Sequence, residues 1–523
     1  MNERILVIRF SSLGDILLTT PVIVNLRIAF PHGHIVFLTK ESFRPVVELF
    51  DGVDEIATIP DHASVAALYG SLMRLDSRSY THVVDLHGNQ RSWLARKVIS
   101  ADQTAVYPKR RLERRRMVSR RHKQIPAHIP HTIDLYNQAL VSLGVSVHAR
   151  RPILSTERIA RHGTGHHPRV LVAPGAAHPP KQWGLERFRD TAVEMQRRHG
   201  ASIVWAVTQD IRPTWQIGDY IPTTHLVECV DCPIPDLAAE LATCDLAVAN
   251  DSGIAHLSSA VGTPVAALFG PTHTALGFAP RGLLDRVIDV DEWCRPCSLH
   301  GRTPCFRDEQ YCFTRLSVDG VVNELTQMLE HARNLRPALF VDRDGTVIVE
   351  KEFPSDPDSV ELERGAAKAL RTARSLGYRI VVVSNQSGVA RGYFTTETVE
   401  IVNARMRELL SAEHVDVDGV YYCPFHKDGA VREYATDADC RKPSPGMPEQ
   451  AASELGIDLR RSVVVGDRES DVFLGKTIGA RSFLVRTGYG REAEKRLFGA
   501  LPPHSVFDDL AAVTDYLARE REP

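Results

Sequence analysis

Short apolar runs rich in valine and isoleucine alternate along the chain with longer stretches whose apolar positions suit helices. The run "ILVIRF" is followed by the loop "SSLGD" and the helical stretch "ILLTTPVIVNLRIAF". "HIVFLT" and "HVVDLHG" read as further strands. A second series starts at "RVLVAPGAA" (169–177) and continues through "SIVWAVT", "DLAVANDSGIAHLSSAVG" and "PVAALFGPT". A third starts at "ALFVDRDGT" and continues through "RIVVVSNQSG" and "SVVVGDRESD". Brief β-branched runs bounded by turn residues are strand signals, and their alternation with helices implies parallel sheets. The pattern therefore predicts an α/β protein with two similar halves and a third unit. The helix-like "VVNELTQMLEHARNL" marks the last junction, and the expected segments are 1–160, 161–335 and 336–523.

Length and composition narrow the class. A chain of 523 residues has room for three or four domains. With 43% apolar and 24% charged residues it reads as ordinary globular material. The formal net charge of −2 gives no global reason for a polyanionic partner. No apolar run reaches the roughly 18–20 residues that span a bilayer. The opening "MNERILVIRFSSLGDILL" has the look of a signal peptide, but Arg9 and Asp15 interrupt its apolar stretch and no small-residue cleavage site follows. The nine cysteines are too dispersed for a secreted disulfide scaffold. A cytoplasmic protein is expected.

The third series carries the densest chemistry. "LFVDRDGT" ends an apolar strand in Asp342 and Asp344, where parallel sheets place active sites. Magnesium takes hard oxygen ligands and neutralises phosphate, so one aspartate can attack phosphorus while the other moves the proton. Ser384 and Asn385 end another strand and can hold phosphate oxygens. Arg441 and Lys442 in "CRKPSPGM" supply positive charge, and "VVVGDRESD" adds Asp467 and Asp471. These four segments, in this order, resemble the haloacid dehalogenase superfamily over about 185 residues. "SNQSGVARGYF", "YYCPFH" and "CRKPSPGMPEQAASELGIDL" narrow the resemblance to D-glycero-D-manno-heptose-1,7-bisphosphate phosphatases, with histidinol-phosphate phosphatases as close relatives. The resemblance implies Asp342 as nucleophile and Asp344 as general acid and base. It implies Ser384, Asn385 and Lys442 as phosphate ligands, and Arg441 on the sugar or its second phosphate. Magnesium would be held by Asp342, the carbonyl of Asp344, and Asp467.

The resembled phosphatases commonly carry a zinc loop. Here "CPFHKDGAVREYATDADC" keeps Cys423 and Cys440 but has Phe425 and Ala438 where a histidine and a cysteine would stand, with His426 one position off. A tetrahedral site needs four ligands. Zinc is not expected, and the loop should be held by packing.

The first two series hold a second constellation. Asp15 lies in a glycine-containing loop at a helix start. Asp251, Ser252 and Gly253 stand between a strand and a helix whose N-terminus suits a diphosphate, and Lys181 adds a cation near another strand end. Each feature alone is ordinary capping chemistry. Together they resemble glycosyltransferase family 9, the ADP-heptose lipopolysaccharide heptosyltransferases, over roughly residues 1–330. The implied fold is the two-lobed GT-B type, with Rossmann-like lobes on the acceptor and donor sides. The implied roles are Asp15 as general base, Lys181 on the leaving diphosphate, Ser252, Gly253 and His256 on the diphosphate and ribose, and Asp251 near the donor sugar. A further acidic donor contact falls on Gln209 or Asp210.

Two motifs complete the reading. "KRRLERRRMVSRRHK" (109–123) holds nine Lys or Arg in fifteen residues. It reads either as a solvated loop or as a basic rim for a phosphorylated lipid A–core acceptor and the anionic inner-membrane surface. Nucleic acid is not expected, since no stacking aromatics interleave. "CRPCSLHGRTPCFRDEQYC" spaces Cys294, Cys297, Cys305 and Cys312 either for structural metal or as reduced surface thiols. The expectation is a bifunctional, magnesium-dependent enzyme. One domain would dephosphorylate heptose bisphosphate, and a GT-B module would transfer heptose from ADP-heptose. The alternatives are a phosphatase for histidinol phosphate or another sugar phosphate, with the first module a non-catalytic scaffold.

Overall fold

The computed structural model describes residues 3–76, 79–119, 125–126, 129–154, 167–207, 227–230, 233–500 and 505–520. Gln209 and Asp210, and residues 120–123 of the basic tract, lie outside them. The chain divides into two compact units, the first built essentially from residues up to Arg333 and the second from Asn334–Pro523.

The first unit contains two parallel sheets. One comprises Arg4–Ile8 (β1), His34–Lys40 (β2), Glu55–Ile59 (β3), Tyr80–Asp85 (β4) and Ala101–Val106 (β5), in the order β3-β2-β1-β4-β5. The other comprises Arg169–Ala173 (β6), Ser202–Val207 (β7), Val227–Val230 (β8), Leu246–Asn250 (β9), Val265–Phe269 (β10) and Arg286–Asp289 (β11), in the order β11-β10-β9-β6-β7-β8. The central strands β1, β6, β9 and β10 are buried almost throughout. Their unbroken apolar runs are what a sheet covered by helices on both faces requires. The predicted helix over "ILLTTPVIVNLRIAF" is two helices, Leu13–Leu17 and Thr20–Ala29.

The second unit holds one parallel sheet of Ala338–Val341 (β12), Arg379–Asn385 (β13), Gly419–Cys423 (β14), Val463–Gly466 (β15), Arg481–Val485 (β16) and Val506–Phe507 (β17), ordered β14-β13-β12-β15-β16-β17. Alternate residues of β12 enter different cores: Leu339 and Val341 join one, Ala338 and Phe340 the other. That is the period of two expected for a strand covered on both faces. β12 lies between β13 and β15, so the residues that follow these three neighbouring strands share one edge of the sheet. Ligands bind at that edge in open α/β sheets.

Candidate active sites

In the second unit the chain leaves β12 at Val341 and turns immediately. Gly345 takes φ +73°, and its N–H donates to the Ile348 carbonyl at 2.7 Å. The turn brings both aspartates of "DRDGT" to one cavity of about 460 Å³, which Ser384, Arg441 and Lys442 also line. Asp342 accepts from the Arg343 N–H at 2.8 Å and pairs with Lys442 Nζ at 2.9 Å, both through Oδ1. Oδ2 carries neither of these bonds. Asp344 is gripped differently. Arg343 Nε and Nη2 each donate to it at 3.1 Å, and Gln386 Nε2 donates at 2.8 Å. Arg343 is itself buried and anchored on Asn403 Oδ1 at 2.9 Å.

Lys442 is 3% exposed, and its ammonium meets Asp342, Asp471 at 2.6 Å and the Val383 carbonyl at 2.8 Å. Burial works against its charge, but Asp342 and Asp471 together raise its pKa above the ordinary value. Ser384 Oγ accepts from Gln386 Nε2 at 2.7 Å. The Asn385 amide is occupied: it accepts from the Lys442 N–H at 2.9 Å and donates to the Lys442 carbonyl at 3.1 Å. Asn385 also lines the cavity, so its amide orients the lysine at the cavity wall.

The carboxylates fit a divalent cation. Oxygens of Asp342, Asp467 and Asp471 lie within 4.8 Å of one another, and this is the only cluster of three or more His, Cys, Asp or Glu donors of its kind among the described residues. Asp467 Oδ2 accepts from the Tyr489 N–H at 2.7 Å, whereas its buried Oδ1 has no protein partner. Burial, then the charges of Asp342 and Asp471, push the Asp467 carboxyl well up from its ordinary range. A cation there would remove that repulsion, and carboxylate oxygens are the donors that magnesium takes.

Arg391 and Arg468 also line this cavity, beside Arg441. Burial and then the Arg391 charge lower the Arg441 pKa. Such crowding of guanidiniums suits an anionic ligand. Sequence reasoning named neither Arg391 nor Arg468, nor the Asp471–Lys442 pair. The signal available was their adjacency to "SNQSG" and to Asp467. Cys423 and Cys440 are joined as a disulfide, a pairing the sequence did not suggest. Phe425 and Ala438 pack against the same core as Cys423, and His426 Nδ1 accepts from the Asp428 N–H.

In the first unit, the β1 loop and the loop after β9 meet. A Cβ on Gly14 would lie 2.5 Å from the His256 ring, and one on Gly253 would lie 2.8 Å from the Leu13 side chain. Only glycines permit that approach. Around it opens a cavity of about 630 Å³ lined by Asp15, Lys181, Asp251, Ser252, Gly253 and His256. All the transferase residues singled out from the sequence, apart from Gln209 and Asp210, therefore come together. Lys181 Nζ pairs with Asp251 Oδ2 at 2.7 Å, and Thr272 Oγ1 donates to the same oxygen at 2.7 Å. Asn250, at the end of β9, accepts from the Trp183 N–H and donates to the Pro174 carbonyl, tying the Lys181 loop to the strand end.

Ser252 starts the helix Gly253–Val261 but makes no side-chain cap bond; its Oγ and His256 Nδ1 are buried without partners. Burial holds the His256 imidazole below its usual pKa. A helix N-terminus with an unused hydroxyl and a neutral imidazole is suited to phosphate oxygens. Asp15 accepts from Ser12 Oγ at 2.9 Å and pairs with Arg9 at 2.7 Å. Cys294, Cys297, Cys305 and Cys312 line a separate small cavity.

Residues 72–303 match the family model described as glycosyltransferase family 9 (heptosyltransferase), and residues 439–513 match the HAD-hydrolase-like model. The D-glycero-beta-D-manno-heptose-1,7-bisphosphate 7-phosphatase of Mesorhizobium japonicum is 42% identical over 187 residues, which cover 35% of this chain and 85% of that protein. The protein of the same name from Escherichia coli K12 is 42% identical over 154 residues, covering 29% of this chain and 80% of that protein. A solved structure of a family 9 glycosyl transferase from Veillonella parvula shares 22% identity at a TM-score of 0.52, covering 63% of this chain and 98% of that one. That likeness is one of fold.

Proposed function

The chain belongs to the D-glycero-beta-D-manno-heptose-1,7-bisphosphate 7-phosphatase family and carries a glycosyltransferase family 9 module besides; on that premise we propose that it is a bifunctional enzyme of heptose metabolism. Its second unit hydrolyses heptose 1,7-bisphosphate, the β-anomer named in its relatives, to heptose 1-phosphate and inorganic phosphate. Its first unit transfers heptose from ADP-heptose, with inversion, to a lipopolysaccharide-core or related glycan acceptor. The observation that carries the reading is Lys442, buried between Asp342 and Asp471 at the edge where three neighbouring strands end.

In hydrolysis, Asp342 Oδ2 attacks the 7-phosphorus and Asp344 gives a proton to the departing sugar oxygen. The aspartyl-phosphate is then attacked by water, whose proton returns to Asp344, and phosphate leaves. Gln386 and Arg343 keep Asp344 in place. Lys442 and Ser384 meet the phosphate charge, and Arg441, with Arg391 and Arg468, receives the second phosphate. Asp342, Asp467 and the carbonyl of Asp344 would hold magnesium, which when bound neutralises substrate charge beside the carboxylates.

In transfer, Asp15 takes the proton of the acceptor hydroxyl, whose oxygen attacks C1 of heptose while ADP leaves. Lys181, exchanging its pairing with Asp251, and the helix start at Ser252–Gly253 meet the diphosphate charge. The basic residues from Lys109 to Arg116 favour a phosphorylated acceptor at an anionic membrane surface.

A phosphate-release screen of the full-length protein over heptose 1,7-bisphosphate anomers, other sugar bisphosphates and histidinol phosphate tests the first half. Preferred turnover of histidinol phosphate would overturn the substrate assignment. ADP release from ADP-heptose with deacylated, heptose-deficient lipid A–core tests the second half, and absence of any donor turnover would leave that module a scaffold.

A further inference from the structure

Arg9 follows β1 and is 5% exposed, yet no part of the reaction described above uses it. All three of its guanidinium nitrogens are engaged. Nε donates to the Ser11 carbonyl at 2.7 Å, Nη1 to the Leu86 carbonyl at 2.6 Å, and Nη2 pairs with Asp15 Oδ2 at 2.7 Å. The Tyr136 ring stands 5.7 Å from its carbon centre. Arginine presents its donors in a fixed planar fork, so three contacts in one plane hold it in one pose. That pose links the loop after β1 to the end of β4, and carries Asp15 with it.

Asp15 is held through one oxygen only. Arg9, Ser12 Oγ and the Ser12 N–H at 3.3 Å all meet Oδ2. Oδ1 is left for the cavity that the aspartate lines. We propose that Arg9 is a positioning residue for glycosyl transfer, fixing Asp15 by Oδ2 so that Oδ1 faces the acceptor hydroxyl. The inference rests on the reading of Asp15 as the general base.

Charge gives the idea a distinctive readout. Burial works to raise the Asp15 pKa, but Arg9, then Ser12, bring it below the usual carboxylate range. The other groups that sense Asp15 are His87, Tyr107, Lys109, Arg114, Tyr136, His256 and His300. Burial holds the three histidines neutral at and above their ordinary range, His87 at about 3, and holds the two phenols protonated. Lys109 and Arg114 are lowered from high starting values. Of this set, Asp15 is the acid that loses an opposite charge at hydrogen-bond distance when Arg9 is replaced, so the difference in acid limb between the variants reads Asp15. Removing Arg9 raises its pKa, so the base stays protonated to a higher pH.

The experiment follows ADP release from ADP-heptose by the full chain from pH 4 to 9, with deacylated, heptose-deficient lipid A–core as acceptor. For Arg9→Gln, kcat falls about 10–100-fold, within the range that a misplaced base costs. The acid limb, which the Arg9 pair keeps below the assayed pH range in the unaltered chain, moves up by about one unit and shows as a fall in relative rate at the acid end of the range, as loss of an opposite charge within hydrogen-bonding distance requires. The KM for ADP-heptose stays within about threefold, because Lys181 and Ser252 are untouched. Arg9→Lys recovers part of the rate and most of the relative rate at the acid end. Calorimetric binding of ADP establishes that each variant is folded. Should Arg9→Gln fail that check, Ser12→Ala, which deletes one Oδ2 bond, carries the same prediction with a smaller shift. A drop in rate with an unmoved acid limb would overturn the proposal, and so would an unchanged rate. Asp15→Asn is assayed in parallel: if it keeps near-normal turnover, the base assignment itself fails, whatever the Arg9 variants do.

Discussion

Lys442 shows how much one residue carries at this site. Its ammonium is the only protein cation within ion-pair distance of Asp342 and Asp471 among the described residues. Truncation leaves two buried carboxylates facing each other, and removing one member of a buried ion pair costs about 3–5 kcal/mol. Lys442→Ala should therefore abolish phosphate release and lower the thermal stability of the second unit, with added magnesium restoring part of the stability but not the rate. Calorimetry with and without magnesium reads this; an unshifted transition would mean that the carboxylates relax apart at no cost. At this scale the sequence was informative about residue types at strand ends. It was silent about which oxygen faces which partner. The clamp on Asp344 by Arg343 and Gln386, and the turning of Asn385 toward the Lys442 backbone, depend on loop paths that local spacing does not encode.

Among elements, the strands read from hydrophobic pattern are the central ones: β1, β2, β4, β6, β7, β9, β10, β12, β13 and β15. Those missed include every sheet edge: β3 and β5, β8 and β11, β14 and β17. An edge strand has one neighbour and a partly exposed face, so its sequence need not be continuously apolar, and "ADQTAV" of β5 is an example. The site escaped this blindness because it is built where central strands end. Gly345 is the element that makes β12 turn there. A Cβ on it would lie 2.4 Å from Asp467 Oδ2 and 3.0 Å from the Gly488 backbone, at φ +73°. Gly345→Ala should displace Asp467 and raise the magnesium concentration for half-maximal phosphate release by about 10–100-fold, the usual effect of disturbing a ligand's support. Gly377→Ala is the control. Gly377 has a similar φ of +82° but open space around it, so it bears the left-handed strain of about 1–2 kcal/mol without the displacement. Equal magnesium dependence in the two variants would mean that backbone strain, not crowding of Asp467, sets the effect.

For the whole molecule, the two chemistries fall in separate compact units, with Asp15, Lys181 and Ser252 in the first and Asp342, Lys442 and Asp467 in the second. They also meet anionic substrates by different means. The second unit gathers three acidic side chains, an arrangement that would repel a phosphate substrate without a cation. The first unit offers Lys181 and the start of the helix Gly253–Val261, which can meet a diphosphate without metal. EDTA should therefore stop phosphate release and magnesium restore it, while ADP release from ADP-heptose changes little. Asp342→Asn should reproduce the same split at the level of one atom, cutting phosphate release by more than about a thousandfold, as loss of a nucleophile does, with transfer intact. Assaying both reactions on one preparation makes the comparison internal, since retained transfer shows the first unit folded, and calorimetry of the same preparation shows it for the second. If chelation or Asp342→Asn suppressed both reactions in protein that stays folded, the two sites would be coupled, and the separation of metal-dependent from metal-independent phosphate chemistry argued from these residues would fall.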